Sequence, residues 1–175
     1  MAIGKSITIK LPEGNLDGCI EISLGSWTGI AFRIRRDNID AYKRNERLKQ
    51  SGVYFLYGET INEQGETIKR VYIGQGGKRK NGQGVLARIL DDRRTQAFWS
   101  EAIVFVDKED SFGKTELCFL ENQFTNMAIA AKQKTSKYLI QNGNDPNIGN
   151  VTDDKQWELQ RYIDGAVLIL ESFPF

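Results

Sequence analysis

Residues Ala102–Val106 read Ala-Ile-Val-Phe-Val, an unbroken apolar run, and this run constrains the fold more than any other feature of the chain. A strand with one wet face alternates polar and apolar residues. A continuous run of this length instead reads as a strand covered on both faces. The chain must therefore supply packing layers on both sides of a sheet. Two further runs, Val53–Tyr57 and Lys69–Ile73, are rich in β-branched and aromatic residues. A polar connection containing Asn62-Glu63-Gln64-Gly65 joins them, so they read as an antiparallel hairpin.

Around this centre the pattern predicts three short strands first, at Ser6–Leu11, Cys19–Leu24 and Ile30–Ile34. Asp37 can cap a helix running to Leu48, with Ile39, Tyr42 and Leu48 on its buried face. Ser51-Gly52 breaks that pattern and marks a soft boundary. After the hairpin come a glycine-rich loop (Gly74–Gly84), a short helix (Val85–Asp92) and the apolar strand. A charged loop (Asp107–Gly113) precedes a long helix from Thr115, its cap, to Lys132. Tyr138–Ile140 can form a short strand, Thr152–Asp164 looks helical, and Ala166–Leu170 is apolar. The predicted organisation is a strand-rich leader (1–50), a central domain (51–147) and a helix/strand extension (148–175) that can lead into a further domain.

The chain has 175 residues and no histidine. That removes Ser-His-Asp triads, Cys-His pairs and His-bearing zinc sites, so any general base must be Tyr, Lys, Asp, Glu or a metal-bound water. Cys19 and Cys118 sit among apolar residues and read as buried reduced thiols. No stretch approaches the ~18 apolar residues of a membrane helix, and the first ten residues alternate in polarity rather than forming a signal peptide. A cytoplasmic protein away from membranes is expected. The net charge is only +1, but it is unevenly spread: Lys69–Arg94 carries a net +6 and Glu101–Glu121 a net −4. A basic stretch beside an acidic one suits a polyanion and a metal ion. Two solvated faces of opposite sign are the alternative.

Four features carry candidate chemistry. Tyr54 and Tyr72 stand close to strand-breaking glycines on adjacent strands, within reach of each other. Arg88 flanks the apolar stripe of its helix, where a guanidinium can reach a phosphate. Glu121 falls in the stripe Leu117, Glu121, Phe124, Ala128, where a carboxylate needs a metal or an arginine. Glu116 competes, but an acid in a first turn merely favours the helix dipole. Asn142 or Asn144 can tether the polar turn Asn142-Gly143-Asn144. The loop GQGGKRKNGQG at Gly74–Gly84 lacks the P-loop spacing and reads as a mobile basic segment against a nucleic-acid backbone. Lys78, Arg79, Lys80, Arg88, Arg93 and Arg94 are the candidate nucleic-acid contacts.

The ordered set Gly52-Val53-Tyr54, Tyr72-Ile73-Gly74, Arg88, Glu121 and the Asn142/Asn144 turn resembles the GIY-YIG nuclease family over residues 51–147. Trp27-Thr28-Gly29 also looks like the leader that precedes this domain in one bacterial subgroup. The resemblance implies an α+β fold: a small three-stranded antiparallel sheet flanked by helices. It implies a metal-dependent endonuclease acting on DNA, with RNA as the other possible partner. Glu121 would hold one Mg²⁺ or Mn²⁺, Arg88 would bind the scissile phosphate, and Tyr72 would activate water with Tyr54 beside it. The chain departs from the family in a longer Gly74–Arg88 connection. It also has Asp92 where many members carry His or Tyr, which offers a base or a metal ligand instead. A free tyrosine is only ~0.1% ionised at neutral pH, so Arg88 or the metal is expected to lower its pKa. The alternatives are a binding module that does not cut, and a protein-interaction domain using Ala166–Leu170 and Phe173-Pro174-Phe175.

Overall fold

The computed structural model describes residues 4–135, 138–142 and 148–173. Its strands are β1 (Ile7–Lys10), β2 (Ile20–Leu24), β3 (Gly29–Arg35), β4 (Gly52–Ile61), β5 (Thr67–Gly76), β6 (Trp99–Asp107) and β7 (Leu139–Ile140). The apolar run lies in β6, and from Ala102 to Asp107 every residue is buried. Burying a large apolar side chain such as Ile103 or Phe105 stabilises by about 1.5–3 kcal/mol. A strand this apolar is also paired along both edges, antiparallel to β3 on one side and to β4 on the other.

That double pairing corrects the expected small three-stranded sheet. The strands form one seven-stranded mixed sheet in the order β1-β2-β3-β6-β4-β5-β7. β6, β4 and β5 lie side by side and antiparallel, but β3 occupies the far edge of β6 from Gly29↔Asp107 to Arg35↔Glu101 and carries β2 and β1 with it. At the other edge β7 pairs in parallel with β5 at Arg70 and Val71.

Helices cover both faces. α1 (Val85–Asp92) and two 3₁₀ turns (Arg36–Tyr42 and Glu46–Lys49) lie on the face that bears Phe32, Tyr54, Leu56 and Val104. α2 (Lys114–Thr135) and α3 (Asp153–Ser172) lie on the face that bears Val53, Phe55, Ile73 and Phe105. The single helix expected over Asp37–Leu48 is those two 3₁₀ turns, because Asn45 accepts from the Arg47 N–H and caps a new turn. Thr115 lies inside α2 rather than capping it; Glu116 reaches back to the Gly113 N–H. Thr152 does cap α3 through the Lys155 N–H, and that helix continues through Ala166–Leu170. Among the described residues no helix is long and apolar enough to cross a membrane.

Trp27 joins the N-terminal strands to α3. Its indole Nε1 donates to the Tyr162 carbonyl at 3.1 Å, and its ring packs on Tyr162 (centroids 5.2 Å apart) and edge-on to Phe105 (6.4 Å). Gly165 leaves room for the indole, since a Cβ there would overlap it. Trp27→Ala removes this ring and the bond together, so a loss of about 3–5 kcal/mol is expected. Urea unfolding followed by circular dichroism checks it; a loss below about 1 kcal/mol would show that the indole does not join these layers.

Candidate active site at the end of strand β5

Strand parity sorts the candidate residues. Along β5, Tyr72, Gly74 and Gly76 point toward α1, and Ile73 and Gln75 point toward α2. Tyr54 stands directly opposite Gly74, and its ring lies across the glycine: a Cβ at Gly74 would overlap the phenol. Gly76 allows a second close approach, since a Cβ there would fall 2.7 Å from Val85 Cα and 2.9 Å from Arg88 Cβ. α1 is pinned over this spot by Val85 N–H donating to the Gln50 carbonyl at 2.9 Å. Two glycines thus bring a helix and a tyrosine onto the same few residues of β5.

Three of the candidates, Tyr54, Tyr72 and Arg88, converge on the α1 face with Asp92. Tyr54 is fully buried and donates its hydroxyl to Asp92 Oδ2. Asp92 is 5% exposed and also receives Arg88 at 3.5 Å, one helical turn away. Arg88 itself is exposed, with a terminal guanidinium nitrogen held by Asp92. Tyr72 is half-buried, its ring 6.3 Å from that of Tyr54. The Arg88–Asp92 spacing of four residues was a readable helix-pair signal.

Glu121 approaches from the α2 face. It is half-buried, and its Oε2 accepts from Gln75 Nε2 at 2.8 Å. Among the described residues no Lys or Arg lies within salt-bridge distance of it, although Arg88 and Asp92 act on it electrostatically. Among the described residues its charge is therefore uncompensated by direct contact, and only Oε2 has a hydrogen-bond partner. A single carboxylate, with water and phosphate completing the shell, fits Mg²⁺ or Mn²⁺. Among the described residues no three His, Cys, Asp or Glu side chains cluster as a cage.

Asn142 is a tether. Its side-chain amide donates to the Ile73 carbonyl at 2.7 Å and accepts from the Ile73 N–H at 3.1 Å, continuing the ladder along the β5 edge just past β7. Asn144 lies outside the described residues.

The basic residues are mostly paired with acids. Arg79 contacts Asp91 at 2.8 Å, Lys78 contacts Asp110 at 3.2 Å, and Arg93 contacts Asp40 at 2.9 Å. Lys80 and Arg94 are exposed with no carboxylate in range among the described residues. Surface pairs such as Arg79–Asp91 contribute little, about 0–1 kcal/mol each, so a phosphate can displace them; Arg93 is half-buried, with its Nε and Nη2 out of solvent.

The titration behaviour departs from expectation. Burial, then the bond to Asp92, pushes Tyr54 far above the ordinary tyrosine range. Burial also holds Tyr72 above its usual value with help from Asp92, and Arg88 offsets this only in part. Arg88 alone therefore does not bring either hydroxyl down to its ordinary range. Burial raises the Glu121 carboxyl as well, against the Gln75 hydrogen bond and Arg88.

Because the folded pKa of Glu121 exceeds its unfolded value, its stabilising contribution is complete below about pH 4.5 and is lost as pH rises through the folded value. Near neutrality the carboxylate is a net burden. Glu121→Gln is expected to raise the melting temperature at pH 7 and to lose that advantage in acid; a lower melting temperature at pH 7 would contradict this assignment.

Comparison of the chain with family models, with curated proteins and with solved structures finds no match in any of the three.

Proposed function

We propose that this chain is a metal-dependent endonuclease of the GIY-YIG type that hydrolyses phosphodiester bonds in DNA. The observation that carries this reading is the meeting of Tyr54, Tyr72, Arg88 and Glu121 around the last residues of β5, although they come from four separate elements. Such a set holds a phosphate, orients a water and offers a carboxylate to a cation.

Each side chain has a distinct task. Arg88 extends its guanidinium from a buried anchor and pairs with the scissile phosphate, a charge-assisted contact that strengthens as negative charge builds on the phosphoryl oxygens. Tyr72 uses its neutral hydroxyl to align the attacking water, accepting a hydrogen bond rather than removing a proton as phenolate. Tyr54 and Asp92 fix Arg88 and the Tyr72 ring from behind. Glu121 would hold the divalent ion, which supplies charge neutralisation at the phosphoryl and leaving oxygens. Water forms the new P–O bond, the bond to the leaving oxygen breaks, and the products are a phosphate monoester end and a hydroxyl end. The water's proton passes to solvent, and the leaving oxygen takes up a proton from solvent to become the hydroxyl end. The cations of the Gly77–Gln83 segment lie beside the site and would follow the backbone on either side. A reducing cytoplasm suits the two free, buried thiols.

Supercoiled plasmid incubated with protein and Mn²⁺ tests the assignment. Nicking is expected, with loss on EDTA and a fall of about 10³-fold in both Glu121→Gln and Arg88→Ala. Intact plasmid, branched DNA and single-stranded DNA across a wide protein range would refute cleavage. Tight, salt-sensitive binding without cutting would then favour the binding module.

The ion pairs on the basic segment give a second test. In the free protein Asp91 and Asp110 occupy the positions that backbone phosphates would take on Arg79 and Lys78. Asp91→Asn with Asp110→Asn is expected to tighten DNA binding several-fold and to steepen its salt dependence, since each phosphate newly paired adds about 0.9 to the slope of log K against log salt. An unchanged slope in fluorescence-anisotropy titrations would remove these cations from the interface.

A further inference from the structure

Among the described residues the one side chain that hydrogen-bonds Glu121 is neutral, and this choice has a consequence. Gln75 lies on β5 opposite Val53, next to Gly74 and three residues after Tyr72. Its Nε2 sits 2.8 Å from Glu121 Oε2 and 3.4 Å from Cys118 Sγ. A carboxylate only accepts, so the amide nitrogen must face it, and the amide's two hydrogens serve the acid and the thiol together. A Lys or Arg at this position would also fix Glu121, but it would neutralise the charge and compete with a cation. An amide fixes the carboxylate without neutralising it.

We infer that Gln75 is the positioning residue for the metal-binding carboxylate: it locks Glu121 Oε2 and leaves Oε1 turned out for a divalent ion. This rests on the nuclease reading of the site. The residue also fixes the geometry between the two halves of the reaction. Gln75 on one face of β5 and Tyr72 on the other ride on the same rigid strand, so the ion's ligand and the water's partner keep a constant separation. Glu121 has three rotatable side-chain bonds, and without the amide its carboxylate would spread over several rotamers. Ion binding would then have to select one of them. Hydrogen-bond partners of metal ligands typically change affinity by about 10–100-fold.

Gln75→Met keeps the length and removes the donor; Gln75→Lys keeps a donor and adds the charge. Binding of Mn²⁺ alone, read from the electron paramagnetic resonance of the free ion, is compared in wild type, both variants and Glu121→Gln, with thermal melts confirming the fold. Gln75→Met is expected to weaken Mn²⁺ binding about 10–100-fold, while plasmid nicking returns to within a few-fold of wild type once Mn²⁺ saturates. Gln75→Lys is expected to abolish Mn²⁺ binding while folding normally, which keeps the inference testable should the Met variant misfold. Wild-type Mn²⁺ affinity in Gln75→Met or Gln75→Lys, alongside lost affinity in Glu121→Gln, overturns the role of Gln75 and leaves the nuclease reading standing. Unchanged Mn²⁺ affinity in Glu121→Gln overturns the metal-ligand assignment itself. Nicking by Gln75→Met that excess Mn²⁺ fails to restore overturns a role exercised through the ion.

Discussion

β6 is paired along both edges and covered on both faces, and the rest of the structure depends on that. A strand so apolar cannot lie at the margin of a sheet, where its unpaired N–H and C=O groups and one face would meet water. β4 takes one edge and carries the hairpin with the candidate site. β3 takes the other and carries the first two strands. α3 then closes the joint: Tyr162 donates its hydroxyl to the Val106 carbonyl at 2.8 Å and offers its own carbonyl to Trp27. The leader and the site-bearing hairpin are therefore parts of one sheet, joined through β6.

The local elements were legible because hydrophobic period is a local property. β4, β5, β6, α1 and α2 all stand where the apolar runs and stripes put them, within a few residues at each end. Pairing was not legible, since nothing in Ile30–Ile34 or Ala102–Val106 says that these two runs are neighbours. The sheet was therefore read too small. α3 was read too short for a related reason. Gly165 interrupts a helical pattern when seen alone, but it lies inside the helix because the Trp27 ring, far away in sequence, fills the space of its missing side chain.

The same division holds in the site. Tyr54, Tyr72, Arg88 and Glu121 stand out by residue type and by their place on an element. Asp92 was seen as a departure from a family pattern; its burial under Tyr54 needs the α1-to-sheet packing that Gly74 and Gly76 permit. Gln75 was passed over because its role depends on strand parity. It shares a face with Ile73, not with Tyr72, and only that places it against α2. The ion pairs of Lys78, Arg79 and Arg93 were beyond reach, because no periodicity specifies which carboxylate a long flexible cation will meet.

The distribution of charge at the end of β5 explains how such a site can be both firm and open. Asp92 is buried, so it must be fully satisfied, and Tyr54 and Arg88 do this from two directions. Replacing the Tyr54 hydroxyl by hydrogen would leave a buried carboxylate short of a donor, a loss of about 1–3 kcal/mol. Arg88 is exposed, so the charge it presents outward is not neutralised by its buried partner alone. On the opposite face Glu121 shows the reverse economy: a half-buried acid kept without a contacting cation. Stability alone would favour an apolar residue or an ion pair at that position. A fold that keeps an uncompensated carboxylate and an outward arginine around one strand end carries that cost where binding a cation and a phosphate would relieve it. The outward arginine and the half-buried acid lie on opposite faces of β5. Neither cancels the other by contact, so each keeps its own electrostatic environment on its own face of the sheet.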